Sequence, residues 1–461
     1  MLSYRAIAEA VRGRLLFWAG GAPSRVVHDS RAVRDGDLFI ALKGERTDGH
    51  LFLEEAFARG AAGALVSDFP SVPPRGRNLI VVENTRKALW DLAAAWRREL
   101  SATFVGVTGS CGKTTTKELV GHLLAEDREV FVAPESYNTE VGLPLALLSM
   151  SPRAQVGVFE LGASAPGEIG PLASLLLPTV AVLTMVGRAH LAGFGDLAAV
   201  AAEKWELVRS LPLDGLAIAN ADSPELASLA AAWPGRLSTF GLTAGTLRGR
   251  IVSESPSLVV ETDTPPLRLS FPLFGRHNAT NLLAAVSCAL ELGILPPTIE
   301  RRAATFAGAP HRLALVPAPF GYVLDDTYNA NPDSMAAALR TLAELDLPVA
   351  RRAFVFGDML ELGEEAERLH REVLDLALHL GIAPIFPVGE LAEKVCLSAE
   401  KASPPRRIVL TEGEPLADCV RKTLQGERTL LLVKGSRRIG LDRLVGELTS
   451  LSQPDSRRTS G

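Results

Sequence analysis

The residues best suited to chemistry lie in one stretch, T-G-S-C-G-K-T-T, from Thr108 to Thr115. An apolar run from Thr103 to Val107 precedes it, and Leu119, Val120, Leu123 and Leu124 follow at helical spacing. That order predicts strand, phosphate loop and helix. Gly109 and Gly112 can take backbone angles closed to other residues, which lets main-chain N–H groups approach a polyphosphate, and the start of the helix adds unpaired donors. Ser110, Cys111 and Thr115 complete the loop. Lys113 would lie along the β- and γ-phosphates, and Thr114 would offer its hydroxyl to Mg²⁺. The common template wants a glycine six residues before the lysine, where this chain has Val107, so only the shorter G-x-x-G-K-T is satisfied. ATP or GTP is implied, but not what is done with it; a glycine-rich turn without nucleotide is the alternative.

Two residues downstream suit a magnesium site. Glu160 lies at the carboxyl end of a buried-type strand in V-G-V-F-E-L-G, where open α/β sheets place their ligands. His190 follows the next strand, Val180 to Thr184, in V-G-R-A-H-L-A-G-F-G. Mg²⁺ prefers carboxylate oxygens and retained waters, with phosphate completing the octahedron. For His190 a core histidine with satisfied hydrogen bonds is the bland reading. Asn278 and Asn281, in L-F-G-R-H-N-A-T-N, read as caps of an apolar helix. Lys204, in A-E-K-W-E-L, reads from composition as a helix-surface lysine paired with Glu203 or Glu206. Cys111 reads as a small filler, and Cys288, Cys396 and Cys419 show no C-x-x-C spacing, so neither a disulfide framework nor a zinc site is indicated.

The elements that must position these groups predict an α/β protein of three domains, the number that 461 residues suggest. Residues 1–83 read as a small α/β domain with a turn at Asp35-Gly36, a strand from Leu38 to Leu42, a helix from Leu53 to Ala58, a strand from Ala64 to Val66 and a loop from Phe69 to Asn78. Asp29, Arg31 and Asp48 there are consistent with solvated charges. Residues 84–312 form the phosphate-loop domain, entered by a helix from Thr85 and built on a mostly parallel sheet. In residues 313–461 a strand, Tyr322 to Leu324, ends in D-D-T-Y-N-A-N-P-D-S-M. G-D-M-L-E-L-G, a helix carrying His370, a strand from Ile385 to Val388 and L-L-L-V-K-G-S-R-R follow. Strands alternating with helices predict a doubly wound, Rossmann-like domain, although no G-x-G-x-x-G follows its first strand. The polar tail from Gln453 is expected to be disordered. Charge is nearly balanced, 48 Lys+Arg against 53 Asp+Glu, which gives no electrostatic reason to expect nucleic acid. Neither a signal peptide nor an apolar run of about eighteen residues is visible, so a soluble cytoplasmic chain without membrane insertion is expected, and a monomer.

With these motifs in place, the chain resembles the ATP-dependent Mur ligases of peptidoglycan synthesis from about Asp29 to Arg438. The phosphate loop, F-E-L-G, A-H-L-A-G-F-G and G-R-H-N-A-T-N are similar across several members. D-D-T-Y-N-A-N-P-D-S-M, G-D-M-L-E-L-G and K-G-S-R resemble more selectively the member that adds D-alanyl-D-alanine to UDP-N-acetylmuramoyl-tripeptide. The sister that adds the third residue typically carries a Y-A-H-T-P-type stretch and D-N-P-R, and neither is visible here. The resemblance implies ATP and Mg²⁺ as cofactors and those two substrates as partners. ATP would phosphorylate the tripeptide carboxylate, and the dipeptide amine would attack the acyl phosphate. By position, Lys113 would hold the β- and γ-phosphates, Thr114 and Glu160 one Mg²⁺, and His190 a second. Asn281 would contact adenine, Asp326 ribose, and Arg312 a phosphate from the domain junction. Ser30, Arg46 and Thr47 would hold the uridine diphosphate. Asn138 would face the peptide, Asn329 and Asn331 the substrate, and Lys434, Ser436 and Arg437 would bring the third domain's loop to the cleft. Several members have at Lys204 a lysine carbamylated by CO₂, which turns a cation into a carboxylate-like Mg²⁺ ligand. Two departures stand out: Thr139 where many relatives have a second asparagine, and His311 in place of a glycine often found before Arg312. A sister ligase adding diaminopimelate or lysine, a folylpolyglutamate-type ligase, a P-loop phosphotransferase and a nucleotide-switch protein are the competing readings.

Overall fold

The computed structural model describes residues 1–17, 19–44, 47–69, 76–255, 257–402, 408–410 and 414–450. The tail from Gln453 and the expected uridine contact Arg46 lie outside them. The described chain forms three sheets in sequence order. The first has five strands in the order Arg14–Leu16, Asn78–Val81, Gly63–Val66, Leu38–Ile40 and Val26–Val27, parallel except for the first pair. Asn78 therefore opens a strand rather than closing a loop, and residues 70–75 of the loop expected from Phe69 to Asn78 lie outside the described residues. The residues that follow alternate too little to show a period, which is why the strand is hard to read.

The central sheet has nine strands. Its parallel part runs Arg236–Gly241, Leu216–Asn220, Val180–Leu183, Thr103–Thr108, Val156–Glu160 and Val130–Val132. The strands beside the phosphate loop are buried on both faces and read as continuous apolar runs. Three further strands, Leu247–Ser253, Leu258–Asp263 and Pro266–Phe271, extend the sheet: the first pairs in parallel with Arg236–Gly241, and the three run antiparallel to one another as a meander. The last of these alternates buried and exposed along its whole length, as expected for a sheet with one wet face. The third sheet, Ala314–Ala318, Gly321–Asp325, Thr429–Lys434, Arg351–Gly357 and Ile385–Val388, is parallel beyond its first hairpin.

Local chemistry fixes the helices that matter for the site. Asn84 caps Thr85–Arg98 by accepting from the Lys87 amide, and Asn331 forms a reciprocal capping box with Ser334 at the start of Pro332–Glu344. Asn278 and Asn281 do not cap their helix. Arg276–Glu291 starts after Gly275, so both asparagines lie within it, with Asn281 Nδ2 donating to Asn278 Oδ1 at 3.0 Å. One continuous apolar core runs from Tyr4 of the helix Tyr4–Ala10 and from Leu38 and Ile80 of the first sheet through Leu89, Leu92 and Trp96 to Phe104 and Phe159 of the second. The third sheet has its own cores, one on each face. No helix among the described residues is long and apolar enough to cross a membrane.

Candidate active site

Thr103–Thr108 lies between Val156–Glu160 and Val180–Leu183, and the chain leaves it in opposite directions on its two sides. The loops beyond its end thus border the crevice where such sheets take ligands. The two loop glycines are required by space as well as by angle. Gly109 has φ +148° and a Cβ there would fall 2.0 Å from Thr184 Oγ1; Gly112 has φ +80° and a Cβ would fall 2.1 Å from Asn281 Oδ1. Ser110 ties the loop to the neighbouring strand, its amide donating to the Met185 carbonyl at 2.8 Å and its hydroxyl to the Gly187 carbonyl at 3.1 Å. Lys113 folds back over the loop, with Nζ 2.8 Å from the Gly109 carbonyl.

Thr114 is where three elements meet. Its Oγ1 donates to Glu160 Oε2 at 2.7 Å and accepts from Arg312 Nη2 at 2.7 Å, while Asn138 Nδ2 donates to the other oxygen of Glu160 at 2.7 Å. Burial pushes the Glu160 carboxyl upward, but Lys113, the Thr114 hydroxyl, Arg312 and Asn138 together outweigh it and hold the pKa below the usual carboxylate range. An ionised carboxylate beside a hydroxyl on a phosphate loop is a hard oxygen pair, which fits Mg²⁺.

His190 is half-buried in the left-handed region at φ +56°, and burial lowers its pKa despite Glu361. Its Nδ1 faces Glu361 Oε2 at 2.7 Å. An imidazole whose Nδ1 faces a carboxylate can present its other nitrogen, Nε2, to a metal, and His190 lines the cavity described below. Lys204 is not a surface lysine: only 2% is exposed, and Nζ donates to the Ala163 carbonyl at 3.2 Å. Burial, helped by Lys113, pushes its pKa down to about 7. Glu203 is occupied elsewhere, accepting the Gly167 and Ile169 amides, and Glu206 pairs with Arg209.

The opposite wall comes from the third sheet. Lys434 Nζ reaches Asp326 Oδ2 at 2.5 Å and the Asn329 carbonyl at 2.8 Å. Asn331 Nδ2 lies 3.2 Å from Cys111 Sγ, and burial raises the pKa of that thiol. Between the walls is a cavity of about 530 Å³. Its lining brings together Ser110, Cys111, Gly112, Lys113, Thr114, Thr115, Asn138, Glu160, His190, Asn281, Arg312, Asp326, Asn329, Asn331 and Lys434. Gly109, Lys204, Ser436 and Arg437 are not in that lining. Ser436 Oγ accepts the Leu360 amide and Arg437 pairs with Asp442. Ser30 and Thr47 belong to the first unit; Ser30 Oγ donates to Glu55 Oε2 at 2.9 Å and Thr47 is exposed.

The sequence reading did not single out His277, Tyr328 or Asp333, which also line the cavity, nor Arg188. Burial pushes the His277 pKa down to about 4, leaving a neutral imidazole beside Asp326 and Lys434. Arg188 binds Asp333 through both its backbone amide, at 2.6 Å, and its Nε, at 3.0 Å, and reaches Glu372 with Nη1. All four sit within quoted stretches, Arg188 two residues before His190 in V-G-R-A-H-L-A-G-F-G, but nothing local marks their roles.

A phosphate loop, a carboxylate at the adjoining strand end and a second α/β wall across one cavity define a phosphate-binding enzyme assembled from separate units. The chain belongs to the Mur ligase family. Residues 24–97 match the Mur ligase family catalytic domain, 107–289 the Mur ligase middle domain, and 311–437 the Mur ligase glutamate ligase domain. More particularly, it is 33% identical over 450 residues to the UDP-N-acetylmuramoyl-tripeptide--D-alanyl-D-alanine ligase of Bacillus subtilis (strain 168), covering 96% of this chain and 97% of the relative. The crystal structure of MurF from Acinetobacter baumannii is similar with a TM-score of 0.83 at 30% identity, covering 97% of this chain and 98% of that one. MurF ligase from Thermotoga maritima in complex with ADP gives 0.79 at 28% identity, covering 92% and 97%.

Proposed function

We propose that this chain joins D-alanyl-D-alanine to UDP-N-acetylmuramoyl-tripeptide with ATP, releasing ADP and phosphate. The observation that carries the reading is the convergence on Thr114: a phosphate-loop hydroxyl, the Glu160 carboxylate and the Arg312 guanidinium meet beside Lys113, across one cavity from D-D-T-Y-N-A-N-P-D-S-M. The names of the relatives support the same acceptor. Residues 1–83 would hold the UDP-sugar through Ser30, Arg46 and Thr47, residues 84–312 the ATP, and residues 313–461 the acceptor.

In the first step a tripeptide carboxylate oxygen bonds to the γ-phosphorus and the bond to the ADP oxygen breaks. In the second the dipeptide amine attacks the acyl carbon, the bond to the phosphate oxygen breaks, and the nitrogen loses a proton. Both steps gather negative charge on oxygen, so cations fixed in advance supply most of the rate enhancement. Lys113 and Arg312 are those cations, and Asn138 orients Glu160. Thr114 and Glu160 would hold one Mg²⁺; His190, with Lys204 as a carbamate, would hold a second. Bound there, the metal would neutralise phosphoryl oxygens. Asn281 would meet adenine and Asp326 ribose, and Lys434 fixes the Asp326 carboxylate. Ser436 and Arg437 would act by shaping the loop behind Lys434.

The test is product formation followed by mass spectrometry. One tube offers UDP-muramoyl-tripeptide with D-Ala-D-Ala, the other UDP-muramoyl-dipeptide with diaminopimelate. A ligated product forms only in the first; product in the second alone sinks the assignment.

A further inference from the structure

Arg312 approaches the phosphate loop from the junction with the third unit, and its plane is weakly held by hydrogen bonds. Nη2 donates to Thr114, whereas Nε is buried without a partner. What fixes the guanidinium is a ring: its Cζ lies 4.0 Å from the centroid of Tyr328. The Tyr328 hydroxyl shares a 3.1 Å hydrogen bond with Ser136 Oγ, in the loop that leads to Asn138. Its amide donates to the His311 carbonyl at 3.1 Å. Arg312 also stands between two residues in the left-handed region, His311 at φ +59° and Leu313 at φ +51°. Such angles persist only where the surroundings impose them. Here they are imposed by the same motif, for Asp325 Oδ2 meets His311 Nδ1 at 2.8 Å and Asp326 Oδ1 accepts the Leu313 amide at 3.3 Å.

We infer that Tyr328 is a positioning residue: its ring holds the Arg312 guanidinium over the phosphate loop, and its hydroxyl ties that orientation to the peptide-side loop at Ser136. Arg312 is then aligned only when the third unit is seated on the second. The inference rests on the function proposed above insofar as Arg312 meets a phosphate.

The experiment is a double-mutant cycle on the full chain, read by calorimetric titration with the non-hydrolysable analogue AMPPNP and Mg²⁺. Tyr328→Leu and Arg312→Ala each weaken AMPPNP by roughly tenfold, and the double variant is no weaker than Arg312→Ala alone. Tyr328→Phe, which keeps the ring, restores binding. Losses that multiply in the double variant, or a phenylalanine as weak as leucine, overturn the inference. Should Tyr328→Leu fail to fold, the hydroxyl arm decides: Tyr328→Phe, Ser136→Ala and their double each lower kcat by the same factor, about threefold, with the nucleotide KM unchanged. Multiplying factors, or no change in kcat, count against it. The titration does not use the acceptor. A wild-type chain that binds AMPPNP yet forms no ligated product from the tripeptide and D-Ala-D-Ala removes the proposed function, while the cycle still judges Tyr328.

Discussion

The first and second units meet differently from the second and third. At the first junction the contact is apolar: Tyr4, Ile7, Leu38 and Ile80 share a core with Leu89, Leu92 and Trp96 of the helix Thr85–Arg98. At the second, the contacts flanking the cavity are largely polar: Arg188 on Asp333 and Glu372, Arg312 on Thr114, Ser136 on Tyr328, Cys111 beside Asn331. Apolar burial is non-directional and strong in aggregate, so it fuses units. Hydrogen bonds and ion pairs exchange with water at small net cost, so they register a closed position without fixing it. The difference teaches that the first two units pack as one body, whereas the third meets the second around the cavity through contacts that water can replace.

Leu92→Ala tests the fused junction and has the largest expected effect. Leu92 is fully buried, and such truncations cost about 2–5 kcal/mol. Thermal unfolding followed by hydrogen exchange should show the first sheet and the helix Thr85–Arg98 weakened together. If only the helix loosens, the shared core is not one unit.

Next comes Lys113→Ala, which on the proposed function removes the cation nearest the transferring phosphoryl group. The barrier should rise by about 3 kcal/mol, a hundredfold or more in kcat, while titration with UDP-muramoyl-tripeptide stays near wild type. Near-normal turnover would place ATP elsewhere.

Lys204→Ala should lower activity by roughly tenfold and be partly rescued by acetate or formate, which can occupy the vacated site. The carbamate has its own readout. Nucleophilic attack on CO₂ needs the neutral amine, and burial holds the Lys204 pKa at about 7. A carbon-13 resonance from labelled bicarbonate should therefore grow as pH rises through about 7 and vanish in the variant. An unimpaired variant with the resonance intact removes Lys204 from the mechanism.

Arg188→Ala probes the polar junction, with the smallest effect: a few-fold loss in kcat/KM and little change in thermal stability, as expected for a half-exposed ion pair. A large drop in melting temperature would mean that this junction, too, is structural.

Much of this was legible where function is local in sequence. G-K-T-T, the strand-end glutamate and the K-G-S-R strand declare themselves because a strand, a tight turn and a helix start are neighbours along the chain. The antiparallel strands from Leu247 to Phe271 were readable in principle, since L-R-L-S-F alternates, but G-R-I-V-S is interrupted by a register shift between Ile251 and Ser253. The contacts that align the cavity were not legible. Arg188 with Asp333 and Ser136 with Tyr328 join positions 145 and 192 residues apart, and no period or spacing encodes such pairs. The surface reading of Lys204 from composition fails for a related reason: an E-K-W-E-L helix looks amphipathic and wet, yet its packing turns Lys204 inward beneath Phe194.

His311 stands where a glycine would swivel freely, and it adopts the glycine-like angle at φ +59° through a side-chain tether to Asp325. Glycine reaches that conformation without strain but leaves the unfolded chain looser; histidine accepts strain and starts from fewer conformations. The junction before Arg312 is therefore a sprung joint with a catch. Its resting angle is held by the His311 imidazole on Asp325 and by the Tyr328 amide on the His311 carbonyl, so the catch has two teeth, both cut from the same third-unit motif.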